Sequence, residues 1–347
     1  MKGYGKMDFM TIGLLIILLI VFILPFTVKI VEENLEYFLF IMGIIAALVG
    51  QAFNSELFMH ALKDPMEITI AVLIAGLLFK WFQDQLGNAI YGMSRKVPFP
   101  LFVALIVILL GLLSSVITAI IAALVLVLIV GNLSLDRKNA ILLTVLACFS
   151  IGLGAALTPI GEPLSTIVVS KMKEDFFYLL ELAGIYIIPG VVILGIIAAF
   201  WVKRDNVSEE RSQQEEESYG EIIIRSVKIY LFVFGLTMLG AGFEPLINKY
   251  LLDLHPAILY WINIISAVLD NATLAAAEIS PAMSEATIKA ILMGLLVSGG
   301  MLIPGNIPNI IAAGKLKITS SEWAKIGLPF GLVVMVAYFV ILMFVEL

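Results

Sequence analysis

The chain has 347 residues, of which 61% are hydrophobic and 14% charged, with a mean hydropathy of +1.07. Soluble domains carry roughly 25% charged residues, so this composition specifies a polytopic helical membrane protein rather than a soluble enzyme or binding module. The net charge of −6 sits largely in one loop, and no basic patch suits nucleic acid. The single cysteine, Cys148, excludes an internal disulfide. The two histidines, His60 and His255, lie near segment ends, which argues against a His/Cys metal site.

Apolar runs of about 17–25 residues are long enough to cross a bilayer. The first, Met10–Phe26, is long for a signal sequence and lacks a small-x-small cleavage site, so it reads as a retained span within 10–30. With a second span at 36–53 it forms an N-terminal two-span scaffold, residues 1–60. Repeat 1, residues 61–203, then runs span 66–82, surface segment 83–96, hairpin 97–133, broken span 138–170, amphipathic segment 171–183 and span 184–203. Residues 204–221 form a polar, charged cytoplasmic linker. Repeat 2, residues 222–347, has the same order: span 222–243, surface segment 244–255, hairpin 256–282, broken span 286–314, surface segment 315–325 and span 326–346.

The two hairpins are expected to be re-entrant, because each apolar half is short for a crossing and the centre is polar. Irregular backbone at membrane depth is tolerated only inside protein or beside water. Lys and Arg distribution sets the orientation. With the N-terminus outside, 14 of the 21 basic residues face the cytoplasm and 7 face out, which satisfies the positive-inside rule. Both termini are then outside, in the plasma membrane, and the two repeats have inverted topology. The fold class expected is therefore an all-α polytopic membrane protein of two inverted-topology repeats. Each carries a re-entrant hairpin and a broken transmembrane helix, and the N-terminal two-span hairpin is extra.

Polar residues inside these apolar stretches are the candidates for chemistry, since a carboxylate in hydrocarbon costs several kcal/mol unless paired, protonated or wetted. Asp270 and Asn271, in SAVLDNATLAAAEI, mark the tip of the second hairpin. Their oxygens are hard ligands for a small cation such as Na⁺; the alternative is a helix cap and a turn residue. Thr158, Glu162, Ser165 and Thr166 lie in the first break beside Pro159, Gly161 and Pro163. Glu162 there is either a second intramembrane carboxylate with a role or a water-exposed charge without one. Asn306 and Asn309, in IPGNIPNI, form the matching break, as ligands or as amides that satisfy a kinked backbone. Ser114, Ser115 and Thr118 mark the first hairpin's tip, unless they merely bond back to their own helix. Glu278 is either a proton carrier or a charge on the outer rim. Paired breaks in two halves are the best sequence pointer to a transporter's central site.

At these motifs the chain resembles the ion transporter superfamily, which includes arsenite permeases, NhaD-type sodium/proton antiporters and dicarboxylate/sodium symporters. VLDNATLAAA is similar to that group's Asp-Asn or Ser-Asn-Thr hairpin tip, and ALTPIGEPLST and MLIPGNIPNII are similar to its broken-helix loops. The closest resemblance is to the DUF1646 group of cation transporters, over residues 66–346. The resemblance implies a transport domain of hairpins and broken helices moving against a scaffold, as an elevator, within a homodimer. It implies ion sites near Thr118, Glu162 and Thr166 in one half, and near Asp270, Asn271, Asn306 and Asn309 in the other. The first repeat departs from the pattern, with Ser-Ser-Val-Ile-Thr at its tip and Pro163-Leu164-Ser165 in its break.

Two functions follow as expectations. The first is cation/proton antiport, most simply Na⁺/H⁺, with Asp270, Glu162 and Glu278 as proton carriers. The second is sodium-coupled symport of a small carboxylate or oxyanion. No Arg or Lys lies in either hairpin tip or break, which favours a cation, although helix N-termini bind anions unaided. An enzyme is not expected, for the chain shows no paired aspartates, Ser–Lys pair or His-Glu-x-x-His motif, and without a P-loop ATP-driven pumping is not expected either. No cofactor is expected beyond the coupling ion, and the partners are the bilayer, a small inorganic ion and a second copy of the chain.

Overall fold

The computed structural model describes residues 9–345 except 64, 67–68, 71–72, 75–76, 78–79, 82–91, 93–95, 134, 205–217, 251–253, 270 and 280–282. Every regular element among the described residues is helical, and five helices are long and apolar enough to cross a membrane. Much of the expected span 66–82, the surface segment 83–96 and most of the linker 204–221 lie outside the described residues.

The chain folds into two compact units. The first comprises residues 1–70 and 224–254. It holds α1 (Phe9–Thr27), α2 (Lys29–Glu33), α3 (Leu35–Val49), a helical stretch at 55–63, and the residues from 224 onward of α9 (Tyr219–Tyr250). Two glycine pairs set the approach of α3 to α9. A Cβ on Gly43 would collide with the carbonyl of Gly235, and one on Gly50 with that of Gly242. Lipid tails are as apolar as leucine, so helix association in a bilayer relies on such close backbone packing. Around the crossing, Ala47, Ala61, Phe234 and Met238 form a buried cluster, and Tyr230 Oη donates to Leu62 O at 2.9 Å.

The second unit comprises residues 71–223 and 255–347. Its first part contains α4 (Phe99–Ile117), α5 (Ala119–Asn132), α6 (Arg137–Ala155), α7 (Pro163–Met172) and α8 (Tyr178–Trp201). Its second part contains α10 (Pro256–Ile262), a 3-10 turn (Asn263–Ala267), α11 (Asn271–Glu278), α12 (Glu285–Gly299), a second 3-10 turn (Ile303–Gly305), α13 (Ile307–Leu316) and α14 (Ser320–Val345). Asp136 starts α6 by accepting from Asn139 N at 2.7 Å, and Ser284 starts α12 by accepting from Thr287 N at 3.3 Å.

The helices carry apolar residues on all sides, and burial tells which face meets protein. On α4, Phe102, Val103, Ile106, Val107 and Leu110 are buried, whereas Leu101, Leu105, Leu109, Leu113 and Val116 form an exposed stripe. Val333, Val336, Val340 and Phe344 make a similar stripe on α14. Exposed apolar stripes of this kind suit contact with lipid or another apolar surface. By contrast α6 from Leu143 onward and the second half of α12 are buried on every side.

The packing of this unit is crosswise. The first arm of each hairpin, α4 or α10, packs on the nearer broken helix, α6 or α12. The second arm packs on the far half of the other one: α5 on α13, and α11 on α7.

The first hairpin differs from the expectation of two short arms with Ser114, Ser115 and Thr118 at the tip. Its first arm, α4, has 19 residues and is long enough to cross a membrane alone. Ser114 and Ser115 lie inside that helix, because their hydroxyls donate to the carbonyls of Gly111 (2.6 Å) and Leu112 (2.7 Å) and leave the backbone ladder intact. The reversal falls on Thr118 alone, at φ 76°, an uncommon and strained conformation for a β-branched residue. The outer spans also start earlier than expected, α8 at Tyr178 and α14 at Ser320, since Glu181, Glu322 and Lys325 are tolerated in the first turns.

Candidate functional site

In the first part of the second unit, the hairpin tip is fastened to the break between α6 and α7. Ala119 N donates to Gly161 O at 2.8 Å, and Thr158 Oγ1 donates to Ser115 O at 2.5 Å. Gly161 is required here, because a Cβ would run into the carbonyl of Ala155. Thr166 Oγ1 donates to Pro159 O at 2.6 Å, and Thr118 Oγ1 accepts from Ile121 N at 3.4 Å. The hydroxyls of Ser115, Thr118, Thr158 and Thr166 are thus all engaged with backbone, and Thr166 is exposed. Thr158 (8% exposed), Glu162 (5%) and Ser165 (0%) are polar side chains that the break buries, and Ser165 Oγ makes no hydrogen bond among the described residues.

The second part builds a denser site. Asn309, fully buried on the first turn of α13, donates through Nδ2 to Gly299 O at 2.8 Å and to Leu302 O at 2.9 Å. Both partners are acceptors, so the orientation of the amide is fixed and Oδ1 is left without a hydrogen-bond partner among the described residues. Gly299 is also where Asn271 and Ser266 converge: Asn271 Nδ2 and Ser266 Oγ each lie 3.6 Å from the position a Cβ on Gly299 would take. Asn271 opens α11, so its orphan N–H groups face the tip. Asn306, 2% exposed, precedes α13 in extended backbone, and its Nδ2 rests against Gly152 of α6. Asp270, the central sequence candidate, lies outside the described residues; Asn271 follows it directly.

Equivalent contacts recur in the two parts. Ser114 Oγ donates to Ile151 O at 3.1 Å, and Ser266 Oγ donates to Leu295 O at 3.3 Å. Gly161 lies beneath Ala155 O as Gly305 lies beneath Gly299 O. In each case the glycine precedes a buried polar residue, Glu162 in one break and Asn306 in the other, and a second buried polar residue follows, Ser165 or Asn309.

Three polar residues outside the sequence candidates belong to the same region. Asn263, 1% exposed, donates through Nδ2 to Glu278 Oε2 at 2.9 Å, and Ser298 Oγ donates to Asn263 O at 2.6 Å. Glu278 is thus buried, at 2% exposure, and does not sit on an outer rim. Asn263, Ser266 and Ser298 are polar residues within apolar runs, and no glycine- or proline-rich break marks Asn263 or Ser266 in the sequence.

Among the described residues no three His, Cys, Asp or Glu side chains are grouped to hold a metal ion. The site is a set of buried carboxyl, amide, hydroxyl and backbone groups around two helix breaks. No curated protein matches this chain. A family model described as a protein of unknown function, DUF1646, matches residues 11–345, and the chain is therefore a member of the DUF1646 family.

Proposed function

We propose that this membrane protein is a secondary active ion transporter, a cation/proton antiporter with Na⁺ as the simplest cation. The observation that carries the reading is Asn309: a buried amide, fixed by two carbonyls across a helix break, with its oxygen left without a hydrogen-bond partner among the described residues. A buried acceptor without a donor is costly, and a desolvated cation is the ligand that removes the cost. Asp270, Asn271, Asn306 and Asn309 would hold the ion in one half. Glu162 and Ser165, supported by Ser115, Thr118, Thr158 and Thr166, are the counterpart in the other. A protonated carboxyl neither attracts nor ligates a cation well, so competition at Asp270 or Glu162 couples the two fluxes.

The recurrent contacts and the crosswise packing support two inverted repeats with re-entrant hairpins around the breaks. One compact unit contains both hairpins and both breaks, which supports an elevator-like transport domain. The homodimer and the plasma-membrane orientation with both termini outside rest on the resemblance and on the charge count. One feature favours sodium-coupled anion symport as the second reading: the N-termini of α11 and α13 both start within the site.

Purified protein in liposomes with a pH-sensitive dye tests the reading. Under an imposed pH gradient, one of Na⁺, Li⁺, K⁺ or Ca²⁺ should dissipate the gradient, and Asp270→Asn should abolish the signal while leaving membrane insertion intact. Normal turnover by Asp270→Asn sinks the site assignment. Silence with every cation, followed by sodium-driven uptake of a radiolabelled carboxylate or oxyanion, replaces antiport by symport.

A further inference from the structure

We infer that Glu278 is a proton-binding site distinct from the cation site at the hairpin tip, with Asn263 as its positioning residue. This inference rests on the antiport reading and, in place of competition at Asp270 or Glu162, assigns the proton to a carboxylate apart from the cation.

Glu278 closes α11 at the end away from the tip. Its carboxylate is buried, and Asn263 Nδ2 is the hydrogen-bond donor it receives from the described residues. Asn263 is held in turn. It sits where α10 gives way to the 3-10 turn, its backbone carbonyl takes the hydroxyl of Ser298, and its Cβ packs against Gly294, where an added methyl would crowd it. Asn263 Oδ1, nine-tenths buried and more, has no hydrogen-bond partner among the described residues. One amide therefore joins both arms of the hairpin to α12 and ends on a carboxylate.

Among the described residues, no charged group on the elements around this pair is placed against Glu278. α11 packs on α7, on α12 and on the 3-10 turn. The 3-10 turn carries no charge, and α12 carries Glu285 and Lys289 in its first two turns, paired with each other at 3.9 Å. On α7 the one charged residue is Lys171, whose side chain lies outside the described residues. A buried carboxylate with one neutral donor is stable when it carries a proton. Deprotonation leaves a bare charge inside the hairpin, which is the differential that lets a proton bias one conformation over another. In each cycle Glu278 would take up one proton from one side and release it to the other, against the cation held at the tip.

The test uses the full chain in liposomes and compares two fluxes, radiolabelled Na⁺ exchange for Na⁺ and proton-coupled Na⁺ uptake. Glu278→Gln is expected to exchange sodium for sodium with no dependence on pH, and to lose proton-coupled uptake. Asn263→Ala is expected to keep both fluxes and to move the pH of half-maximal uptake about one unit to the alkaline side, since losing a donor to the carboxylate favours the protonated form. Proton-coupled uptake by Glu278→Gln with the wild-type pH profile overturns the inference and leaves antiport standing. Loss of both fluxes in Glu278→Gln with an unshifted profile in Asn263→Ala overturns it too, by making the pair structural. Wild-type protein that moves no proton with any cation removes the antiport reading itself.

Discussion

Asn309 ties the two halves of a broken helix together: its amide donates at 2.8 Å to Gly299 O, the last residue of α12. The second bond, to Leu302 O, reaches into the break itself. A side chain thus stands in for the ladder that the helix abandons there, giving Gly299 O a donor and adding one to Leu302 O, which also accepts from Gly305 N at 3.3 Å.

The first prediction follows from the two acceptors. Asn309→Ala leaves Gly299 O without this donor and Leu302 O with only the longer bond from Gly305 N (3.3 Å), and is expected to cost about 2 kcal/mol of stability, read as a lowered midpoint of thermal unfolding in detergent. Asn309→Asp places a carboxylate oxygen against two carbonyls and should be the worse of the two. Asn309→Asp matching the wild type in stability would show that the amide's donors are not what holds the break.

Thr118 gives a prediction of opposite sign. At φ 76° a threonine stores about 1–3 kcal/mol of backbone strain, and its one cap, from Ile121 N, is long at 3.4 Å. Thr118→Gly should therefore raise the thermal midpoint, whereas Thr118→Pro, with φ confined near −65°, should not fold. If the glycine variant is also slower in transport, the strain is part of the tip's function; a lowered midpoint would mean that the cap outweighs the strain.

The sequence made the helical class, the two breaks and their glycines readable, because composition and Gly/Pro placement act locally. Asn306 and Asn309 were legible for the same reason. Tertiary partners were not. Ser114 and Ser115 look like tip residues in isolation, and only the backbone carbonyls within reach decide that they sit inside α4. Asn263 is one polar residue in YWINIIS, and its meaning comes from Glu278, fifteen positions on. The Gly43–Gly235 approach was equally hidden, since a helix crossing is set by two segments far apart in the chain.

That crossing carries the third prediction. The atoms opposing Gly43 and Gly235 are backbone, so they cannot swing away as a side chain could. Gly43→Leu or Gly235→Leu should separate α3 from α9 and destabilise the protein by about 1–3 kcal/mol, with a smaller loss for Gly43→Ala. Gly92, with nothing within 4 Å of its would-be Cβ among the described residues, serves as the control that tolerates alanine. Equal thermal midpoints for Gly43→Leu and Gly92→Ala would refute tight α3–α9 packing.

The last prediction concerns Arg137 and Glu322, which join the start of α6 to the start of α14. The guanidinium donates to both oxygens of Glu322, at 2.9 and 2.6 Å, and to Leu316 O and Lys317 O, at 2.9 and 2.7 Å, at the end of α13. Four bonds from one planar group satisfy a carboxylate and two terminal helix carbonyls at once, a geometry that an ammonium cannot reproduce. Exposed ion pairs are worth roughly 0.2–1 kcal/mol and weaken with salt, whereas the carbonyl bonds do not depend on Glu322. Arg137→Lys should therefore lose most of what Arg137→Ala loses, and Glu322→Gln should lose less than either. Raising salt should erase the effect of Glu322→Gln and leave most of that of Arg137→Ala. Thermal unfolding of the three variants at two ionic strengths separates the terms, and full rescue by lysine would mean that point charge alone holds the junction.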